Sequence, residues 1–407
     1  MGRRIYFDGL NLSLKHGTGI ATYTRMLAQL AGGLGFDVGV VYSSPNRPAK
    51  NPLLREIGFF DIRETKPPPL PKELWHTLCD QVRLPFGIEP SPVGLTGAVI
   101  ADQFKSRLPL HDNVFVARNL FANARLYHSW SGRFAEIACD PKPDILHCTY
   151  QLPLRAKDAR NIYTIHDLVP LRLPFTTLDN KRQTYQLLRK IAAEADHIVT
   201  VSEQSRRDIV ELLGVPEHRV TNTYEAVEFP AELINRPDDV VAEQLEAALQ
   251  LEMNGYLLFY GAFEPKKNVG RLIDAYLLSA VDLPLVITGP PGWGTREEAA
   301  LLKQLSEEER SGPRARRRFL RLEYVSRSML VTLIRGARAV LFPSLYEGFG
   351  LPVLEAMLLG TPVVTSRTSS LPEIAGEAAL YVNPYDIDDI ARAIKTVAAD
   401  PDLRKEL

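Results

Sequence analysis

The sequence has little cysteine and no long hydrophobic run, and these shortages exclude several classes of protein. Its three cysteines, Cys79, Cys139 and Cys148, are odd in number and show no CxxC spacing. This pattern predicts reduced thiols in a cytoplasmic protein, with neither a disulfide framework nor a zinc site. No apolar run reaches the ~20 residues that a transmembrane helix needs. The N-terminus also lacks the apolar core of a signal peptide.

The sequence also lacks a surplus of either charge. It contains 48 Lys and Arg against 49 Asp and Glu, which gives a formal net charge of -1. This balance provides no global reason to bind nucleic acid, and we predict no nucleic-acid partner. The hydrophobic fraction of 45% is typical of a globular protein. A chain of 407 residues is too long for one ordinary core and predicts two domains.

Short apolar runs alternate with helical patterns in the second half of the chain. The runs that predict strands are YLLFYG, LPLVITG, RFLRLEYV, AVLFPS, TPVVTS and ALYVN. Segments with helical spacing lie between them, among them NVGRLIDAYLLSAV and REEAALLKQLSEEER. Strands that alternate with helices predict right-handed βαβ crossovers and a parallel sheet covered on both faces.

The first half repeats this pattern with more interruption. Its predicted strands are RRIYFDG, VGVVYSS, DILHCT, NIYTIHD and HIVTVS. Residues 45–143 are proline-rich and less periodic, and they predict an insertion with a few helices. The polar segment EFPAELINRPDD lies between the two α/β halves and predicts a domain boundary there. We therefore predict domains at 1–235 and 236–407. The fold class is α/β, with two Rossmann-like parallel-sheet domains that face a ligand-binding cleft.

Two glutamates lie eight residues apart in LFPSLYEGFGLPVLEAMLLGTPVV, where a predicted strand gives way to a helix. Pro352 suits the first turn of this helix and Gly360 suits its end. The free N–H groups and the charge of roughly +0.5 at the helix N-terminus favour an anion such as phosphate. Glu347 in the turn and Glu355 in the helix are placed to accept hydrogen bonds from sugar hydroxyls. On spacing alone, solvated acids at a helix end are an equal alternative.

Glycines and lysines nearby favour the anion-binding interpretation. Gly348 and Gly350 allow the backbone to approach an anion closely. Lys266 and Lys267, in YGAFEPKKNVGRL, follow a predicted strand and precede a helix, so they belong to the same sheet edge. Two lysines at that edge would neutralise a diphosphate without a metal ion. A solvated lysine pair is the alternative.

Five segments resemble motifs of the retaining GT-B glycosyltransferases of family four. The segments are EGFGLPVLEAM, GAFEPKKN, GTGIATYTRML, YTIHDLVPL and VSEQSRRDIVELLGVPEHRV. The first resembles the E-x7-E segment of the family, and the second resembles its diphosphate loop. All five occur along the chain in the family's order. The resemblance implies the GT-B fold and a nucleotide-sugar donor, with no metal and no other cofactor.

The resemblance implies a role for each matching residue of the second domain. Lys267 would pair with the donor diphosphate, and Lys266 would lie beside it. Glu347 would hold hydroxyls of the transferred sugar, and Glu355 would hold the ribose of the nucleotide. The diphosphate and sugar would also be lined by backbone N–H groups of Phe349, Gly350 and Leu351, beside Gly348.

In the first domain the resemblance points to a histidine. His166 follows an apolar strand and would contact the transferred sugar, with Asp167 next to it. Both are predicted, with Glu347, as the catalytic residues. Gly17 and Gly19 would allow the first loop to approach the donor. Without the resemblance, a lone histidine is more simply read as a structural residue with satisfied hydrogen bonds.

The sequence departs from the family pattern at one place. Many members carry an arginine where this chain has Ala262, so a cation is missing from the expected diphosphate site. The two lysines would then carry more of the charge, and Arg327 is a candidate replacement. The nucleotide base would lie near Tyr324 and Val325.

The segments HDLVPLRLPFTTLDNKR and LHCTYQLPLR resemble bacterial mannosyltransferases that build surface polysaccharides. This implies GDP-mannose as the donor and a glycan or lipid-linked acceptor, in synthesis of O-antigen, capsule or exopolysaccharide. The expected mechanism is front-face attack with retention, because histidine is a poor nucleophile for a double displacement.

Two other functions remain open on the same architecture: a GT-B sugar-nucleotide epimerase and a non-catalytic sugar-nucleotide-binding subunit. A dinucleotide-dependent oxidoreductase is disfavoured, because VGVVYSS ends without the acidic residue that would hold an NAD ribose.

Two further expectations concern the surroundings of the chain. HTLCDQVRLPF and RNLFANARLYHSWSGRF mix aromatic and basic residues, which is compatible with peripheral contact with the cytoplasmic face of the inner membrane. Ordinary packed helices are the favoured interpretation of both segments. The chain stops at ADPDLRKEL, before the crossover helix with which GT-B chains normally end, so we expect a piece of a longer polypeptide or a missing helix.

Overall fold

The computed structural model describes residues 2–14, 19–61, 70–100, 108, 111–290, 292 and 319–407. Contacts divide the chain into two compact units. The first comprises Met1–His166, Asn180–Thr200 and Arg206–Thr223, and the second comprises Asp167–Asp179, Val201–Ser205 and Tyr224–Leu407. The boundary predicted between residues 235 and 236, and the predicted cleft, stay predictions.

The first unit is built on a large sheet of eight strands among the described residues, in the order β10-β9-β8-β6-β1-β2-β4-β3. Only β3 pairs antiparallel in this sheet. A second small sheet pairs β5 with β7. The strands are β1 (Arg4–Asp8), β2 (Asp37–Ser44), β3 (Ser91–Pro92), β4 (Asn113–Arg118), β5 (Ala135–Ile137), β6 (Ile145–Cys148), β7 (Leu154–Ala156), β8 (Arg160–Thr164), β9 (His197–Thr200) and β10 (Val220–Asn222).

Helices flank this sheet and bury the strands. The helices in this part of the chain are α1 (Gly19–Gly33), α2 (Pro52–Phe60), α3 (Leu70–Arg83), α4 (Leu120–Ser131), α5 (Val169–Arg172), α6 (Lys181–Glu194) and α7 (Glu203–Leu213). Local sequence explains several helix starts. Asn51 accepts hydrogen bonds from the N–H groups of Leu53 and Leu54, and Asn180 accepts one from Gln183, so each caps its helix.

The five strands predicted for the first half are confirmed as β1, β2, β6, β8 and β9. Residues 45–143 contain the expected helices, α2 to α4. They also contain β4, which was not predicted from the sequence and which pairs in parallel with β2 in the main sheet. Val114, Phe115 and Val116 of β4 are buried, because the strand is covered on both faces.

The second unit is built on a sheet of six parallel strands among the described residues, in the order β13-β12-β11-β14-β15-β16. All six strands predicted for the second half are confirmed. They are β11 (Leu257–Tyr260), β12 (Leu285–Thr288), β13 (Phe319–Leu322), β14 (Ala339–Phe342), β15 (Val363–Ser366) and β16 (Leu380–Val382). The four central strands have only buried residues, which explains their continuous apolar runs.

Helices also flank the second sheet. They are α8 (Ala231–Ile234), α9 (Asp238–Leu249), α10 (Val269–Ser279), α11 (Arg327–Gly336), α12 (Leu351–Leu358), α13 (Leu371–Ala375), α14 (Ile387–Ala399) and α15 (Pro401–Glu406). The helix predicted at residues 296–310 lies outside the described residues. Within the described part of the chain, none of the helices combines the length and apolar character needed to span a membrane.

Each sheet reverses its order of winding at one pair of strands. In the second unit the chain moves outward from β11 to β12 and β13, and then returns to β14 on the other side of β11. The loops after β11 and β14 therefore lie side by side and leave in opposite directions. In open α/β sheets a ligand binds at such a point. In the first unit the corresponding pair is β1 and β6.

Candidate active site

The loop after β11 carries the two lysines and is fixed against the loop after β14. Residues Pro265–Lys267 form a short 3-10 helix, and Asn268 follows in a left-handed conformation with φ of 61°. The buried Asn268 side-chain amide donates to Pro343 O at 3.0 Å and to Pro384 O at 2.7 Å. Leu345 N also donates to Lys266 O at 2.8 Å. The bonds of Pro343 and Leu345 fix the β11 loop against the β14 loop, and the bond to Pro384 fixes it against the segment after β16.

Both lysines converge on one buried carboxylate, and we call Lys266, Lys267 and Glu347 the lysine–glutamate cluster. Lys267 Nζ lies 2.7 Å from Glu347 Oε1, and Lys266 Nζ lies 3.6 Å from Oε2. Lys267 Nζ also lies 4.7 Å from the ring centroid of Phe342, at the end of β14. The predicted residues of the β11 and β14 loops are therefore in direct contact.

Asp167, a predicted catalytic residue, lies beside this cluster. Asp167 belongs to the second unit, and its Oδ2 is 4.0 Å from Lys266 Nζ. Its Oδ1 accepts a hydrogen bond from Val169 N at 3.0 Å, at the start of α5. Two cations thus face two carboxylates, so the charges of this group balance.

The charges shift the pKa values within the lysine–glutamate cluster. Burial alone would raise the pKa of Glu347, but Lys267 and Lys266 outweigh it and hold this pKa below its ordinary value. Burial alone would lower the pKa of Lys266, but Glu347 and Asp167 outweigh it and hold this pKa above its ordinary value. Both residues are therefore charged near neutral pH.

Serine hydroxyls orient the glycine-rich turn that follows Glu347. Ser370 Oγ lies 3.0 Å from Glu347 O and 2.7 Å from Phe349 O. Ser202 Oγ, also in the second unit, donates to Gly348 O at 2.6 Å. In a trans peptide the N–H group points opposite to the carbonyl. The N–H groups of residues 348, 349 and 350 are therefore turned away from these serines.

Gly350 occupies a conformation that other residues rarely adopt. Its φ is 111°, and a Cβ atom there would lie 2.8 Å from Leu371 Cδ2. It immediately precedes α12, whose first N–H groups have no partner within the helix. Leu351 begins α12, so the four predicted residues Gly348 to Leu351 form one continuous turn into a helix N-terminus.

Glu355 lies in α12 and is connected to the end of β11. Burial raises the pKa of its carboxyl group, while a hydrogen bond from Tyr260 and the charge of Arg327 act in the opposite direction. The buried Tyr260 hydroxyl has a single proton, which it shares between the Glu355 carboxylate and Pro352 O, at 2.8 Å. Tyr260 was not singled out from the sequence, where it is simply the last residue of an apolar strand.

Arg327, the suggested replacement for the missing arginine at position 262, has defined partners. Its guanidinium group donates to Glu228 O and lies 5.6 Å from the Phe229 ring centroid. Its electrostatic effect reaches Glu355. Another cation, Arg321, lies 4.8 Å from the ring centroid of Phe263, the residue after Ala262. Arg321 was not predicted from the sequence.

The remaining residues predicted to bind the nucleotide-sugar donor lie in different surroundings. Tyr324 is 79% exposed, whereas Val325 is half-buried and packs against the core of the second unit. Gly19 is exposed at the start of α1 in the first unit. Gly17 lies outside the described residues.

His166 lies in the first unit within a network of buried polar groups. Its Nε2 donates to Thr149 O at 3.0 Å, which requires a proton on Nε2. Thr149 follows β6, and its N–H and hydroxyl groups both donate to Asp8 at the end of β1. Burial raises the pKa of Asp8 despite these bonds. Asp8 and Thr149 were not predicted, although both are polar residues at strand ends.

A second histidine lies close to the first. His147 Nε2 lies 2.8 Å from Thr164 Oγ1, which is also 3.2 Å from the Tyr23 hydroxyl. The Tyr23 ring contacts His166 edge-on at a centroid distance of 5.1 Å. Burial, with a contribution from His166, lowers the pKa of His147 to about 3. His147 is therefore neutral and serves as a structural partner in this network.

No group of three or more His, Cys, Asp and Glu side chains that could hold a metal ion is found among the residues that the structure describes.

Comparison with known proteins identifies two glycosyltransferase domains in the chain. The family "Glycosyltransferase Family 4" matches residues 98–228, and "Glycosyl transferases group 1" matches residues 241–407. The chain therefore carries both of these glycosyltransferase domains. Its two parallel-sheet units have the predicted GT-B fold.

Solved structures support the fold assignment. HepE from Anabaena, solved in complex with UDP and glucose, superimposes with a TM-score of 0.63 at 15% identity, over 99% of this chain and 92% of HepE. WaaG, a glycosyltransferase involved in lipopolysaccharide biosynthesis, gives 0.60 at 12% identity, over 99% and 92% of the two chains.

Curated relatives of this chain include several mannosyltransferases. O-antigen chain mannosyltransferase B of Escherichia coli is 35% identical over 262 residues, which cover 63% of this chain and 65% of the relative. The serotype-specific mannosyltransferase WbdA of E. coli is 28% identical over 274 residues, which cover 64% of this chain and 32% of the relative. The chain thus spans less than two thirds of the length of these relatives.

Proposed function

We propose that this glycosyltransferase moves mannose from GDP-mannose to a glycan or lipid-linked acceptor, with retention of the anomeric configuration. The observation that carries the proposal is the lysine–glutamate cluster at the carboxyl edge of the second sheet, beside the N-terminus of α12. This arrangement combines cations, a carboxylate and backbone N–H groups. A nucleoside-diphosphate sugar offers the complementary groups, namely phosphate oxygens and sugar hydroxyls.

The cations are placed for stabilising a leaving group. When the bond between the anomeric carbon and the diphosphate breaks, negative charge develops on the phosphate oxygens. Lys266, Lys267 and the N–H groups of α12 would stabilise this charge where it forms. We therefore propose that the reaction requires neither a metal ion nor another cofactor.

The two carboxylates would recognise the two sugars of the donor. Glu347 would accept hydrogen bonds from hydroxyls of mannose, and Glu355 from hydroxyls of the ribose. Glu347 is held at 2.7 Å by Lys267, so its position is fixed before the donor binds. A preorganised carboxylate loses less side-chain freedom on binding than a mobile one.

We propose that the acceptor hydroxyl attacks the anomeric carbon from the face that the diphosphate leaves. A new C–O bond forms there, the bond to the diphosphate breaks, and a phosphate oxygen takes the acceptor proton. His166 would contact the transferred sugar. If so, His166→Ala lowers turnover more than donor affinity, and equal losses in both would contradict this role.

The choice of mannose rests on the relatives. Among the curated relatives that match this chain, three are named mannosyltransferases whose names concern the O-antigen chain or a serotype, and two of those names specify the O-antigen chain. We therefore propose a role in the synthesis of bacterial polysaccharide, such as O-antigen, capsule or exopolysaccharide. Such a role would place the protein in the cytoplasm, at the inner face of the membrane.

The first experiment measures which sugar nucleotide raises the melting temperature. GDP-mannose, UDP-glucose, UDP-GlcNAc and dTDP-rhamnose are compared, with Glu355→Ala as the control variant. At a ligand concentration of 100 times Kd, binding stabilises the folded state by about 2.7 kcal/mol. We expect a shift with GDP-mannose that the control loses. A shift with another donor only would contradict the choice of mannose.

A second measurement distinguishes a transferase from an epimerase and from a non-catalytic binding subunit. A transferase releases GDP in proportion to the acceptor added, whereas an epimerase converts its sugar nucleotide without acceptor. A binding subunit does neither. The configuration of the product, read by NMR of the anomeric proton, tests retention, and an assay in EDTA tests the proposed independence from metal.

A further inference from the structure

The carboxyl group of Asp8 is buried and is held by neutral hydrogen-bond donors. Asp8 is the last residue of β1 and is 1% exposed. Its Oδ1 accepts a hydrogen bond from Leu10 N at 3.2 Å, and its Oδ2 accepts one from Thr149 Oγ1 at 2.8 Å and another from Thr149 N. The N–H group of Tyr150 also donates to Asp8. These four hydrogen bonds fix the segment after β6 against the end of β1.

One peptide group connects Asp8 to His166. The N–H group of Tyr150 and the carbonyl group of Thr149 belong to the same peptide, which is trans, so they point in opposite directions. Because the N–H group is directed at Asp8, the carbonyl group is directed away from it. The Thr149 carbonyl oxygen accepts a hydrogen bond from His166 Nε2 at 3.0 Å. A change at Asp8 therefore reaches His166 through a single rigid group.

The same arrangement fixes the imidazole ring of His166. A carbonyl oxygen can only accept a hydrogen bond, so the proton of the neutral ring lies on Nε2, and Nδ1 carries a lone pair. The edge-on contact with the Tyr23 ring, at a centroid distance of 5.1 Å, restricts rotation of the imidazole. The Tyr23 hydroxyl is itself 3.2 Å from Thr164 Oγ1. Groups of the first unit thus set both the tautomer and the plane of this histidine.

We infer that Asp8 is a positioning residue for His166 and acts through the peptide between Thr149 and Tyr150. Ionised Asp8 polarises this peptide, because hydrogen bonds in a chain strengthen one another. The Thr149 carbonyl then holds the Nε2 proton more firmly and keeps the ring in one orientation. Any hydrogen bond that neutral His166 makes with a hydroxyl of the transferred sugar therefore has Nδ1 as its acceptor. This use in catalysis rests on the proposed function, whereas the link from Asp8 to His166 does not.

The direct test observes the imidazole proton of His166 by NMR and needs neither donor nor acceptor. The protein carries isotope-labelled histidine, and the His166 signals are assigned by their loss in His166→Gln. In the wild type we expect the proton on Nε2, with a low-field signal that exchanges slowly with water.

The variant Asp8→Asn tests the link. Asparagine keeps one acceptor oxygen but replaces the other by an N–H donor, so it cannot make all four hydrogen bonds of Asp8. The Nε2 proton signal of His166 should move upfield and exchange faster, because the Thr149 carbonyl is less polarised. A wild-type proton on Nδ1, or a signal that is unchanged in Asp8→Asn, would overturn the inference.

Asp112→Asn is the matched control. The Asp112 carboxylate accepts a hydrogen bond from Val38 N at 2.8 Å, at the amino ends of strands of the same sheet, whereas Asp8 lies at a carboxyl end. This variant also neutralises a carboxylate that holds a backbone N–H group. The His166 signal should stay as in the wild type. A shift of equal size in both variants would reflect the change of net charge and would refute the link.

A second pair of variants keeps the inference testable if Asp8→Asn does not fold. Thr149 is fully buried, and Thr149→Val preserves the shape of its side chain but removes the hydroxyl that donates to Asp8. Thr149→Ser retains this hydroxyl. We expect the upfield shift of the His166 signal in the valine variant and the wild-type signal in the serine variant. A wild-type signal in both would contradict the inference.

A kinetic measurement connects the position of His166 to sugar transfer. In Asp8→Asn, kcat should fall about tenfold or more, because a small displacement of a group at the reacting centre is costly. GDP-mannose should still raise the melting temperature as in the wild type. An unchanged kcat, or an equal loss of donor-induced stabilisation, would contradict the positioning role. If GDP-mannose stabilises not even the wild type, the proposed function fails, while the NMR signal still decides whether Asp8 positions His166.

Discussion

At the scale of single residues, the hydroxyl group of Tyr260 influences the charge on Glu355. The hydroxyl hydrogen-bonds the Glu355 carboxyl group and opposes the rise in its pKa that burial causes. Removing it in Tyr260→Phe should raise this pKa further. If ionised Glu355 binds the donor, the pH below which donor affinity declines will move upward, while affinity at high pH changes little. Calorimetric titration of GDP-mannose across pH measures this shift.

A second buried tyrosine provides the control for that prediction. Tyr256 is also fully buried, and its hydroxyl donates to the carbonyl of Leu333 at 2.6 Å. Tyr256→Phe removes one buried hydrogen bond and should cost about 1 kcal/mol of stability, as should Tyr260→Phe. Only the latter should change the pH profile of donor binding. If both variants show the same profile, Tyr260 has a purely structural role.

Lys267 lies closer than Lys266 to the buried carboxylate of Glu347, so it compensates the charge of Glu347 more directly. Replacing it in Lys267→Met preserves much of the side-chain volume but leaves Glu347 with Lys266 alone, at 3.6 Å. Breaking a buried ion pair from one side typically costs about 3 kcal/mol. We expect a loss of this size in the free energy of unfolding by urea, together with loss of donor-induced stabilisation.

The double variant separates these two effects. Adding Glu347→Gln to Lys267→Met removes the uncompensated carboxylate and should recover part of the lost stability. It should not recover donor binding, because two of the groups proposed to recognise the donor are then missing. Recovery of donor binding would contradict the role proposed for Lys267.

At the scale of elements, the turn into α12 depends on Gly350. A residue with a Cβ atom is strained at φ of 111°, and that atom would approach Leu371 Cδ2 to 2.8 Å. Gly350→Ala should therefore lower the free energy of unfolding by about 1–3 kcal/mol. It should also shift the N–H groups of the turn and weaken donor binding at least tenfold, as measured by thermal shift.

Gly360, after the end of α12, offers the matched control. Its φ is 72°, and a Cβ atom there would meet no other atom within 4 Å. Gly360→Ala should lose stability because of its backbone conformation while donor binding stays intact. Comparable weakening of donor binding in the two variants would show that the effect comes from general destabilisation of α12.

The elements differ in how well the sequence predicts them, and the reason is physical. Strands β11, β12, β14 and β15 are buried on both faces, so their apolar runs stand out. The small strands β3, β5, β7 and β10 have two or three residues, which is too short for any periodicity, and they lack a continuous apolar run such as the one that contains the equally short β16. β4 is longer, but it lies in a proline-rich region where its single apolar run has no regular neighbours.

The candidate site is similarly divided between what the sequence predicts and what it does not. Lysines and glutamates at strand ends carry a chemical signal, so Lys266, Lys267 and Glu347 could be placed at one edge. Their direct contact depends on β11 and β14 being neighbours, which is a property of strand order. Tyr260, Asp8 and Ser370 act through hydrogen bonds to residues distant in sequence, and no local pattern reveals such partners.

At the scale of the whole molecule, the lysine–glutamate cluster predicts how stability depends on pH. The pKa of Glu347 is lower in the folded state than in the unfolded state, so its contribution is present above about pH 4.3 and is lost as pH falls through the folded pKa. The pKa of Lys266 is raised, so its contribution is lost only at strongly alkaline pH. Glu355 has the opposite effect on stability. Its pKa is raised in the folded state, so protonation of Glu355 favours folding.

The comparison with Glu347→Gln tests this dependence. Protonated glutamate and glutamine carry no charge, so the wild type and the variant should become similarly stable in acid. At pH 7 the variant should be less stable by about 3 kcal/mol, because Lys267 loses its carboxylate partner and Lys266 keeps only Asp167, at 4.0 Å. Urea unfolding between pH 3 and pH 7 measures the difference. A difference that stays constant across this range would contradict the linkage.

The last strand of the large sheet has a consequence for the protein at high concentration. Val93 N donates to Val114 O of β4, so the neighbouring residue, Pro92, directs its nitrogen to the opposite, outer side. Proline has no N–H group, and β3 is only two residues long. A strand from another chain would find no donor at that position. At high protein concentration, this edge therefore resists edge-to-edge pairing with the sheet of another chain, which is a route to aggregation.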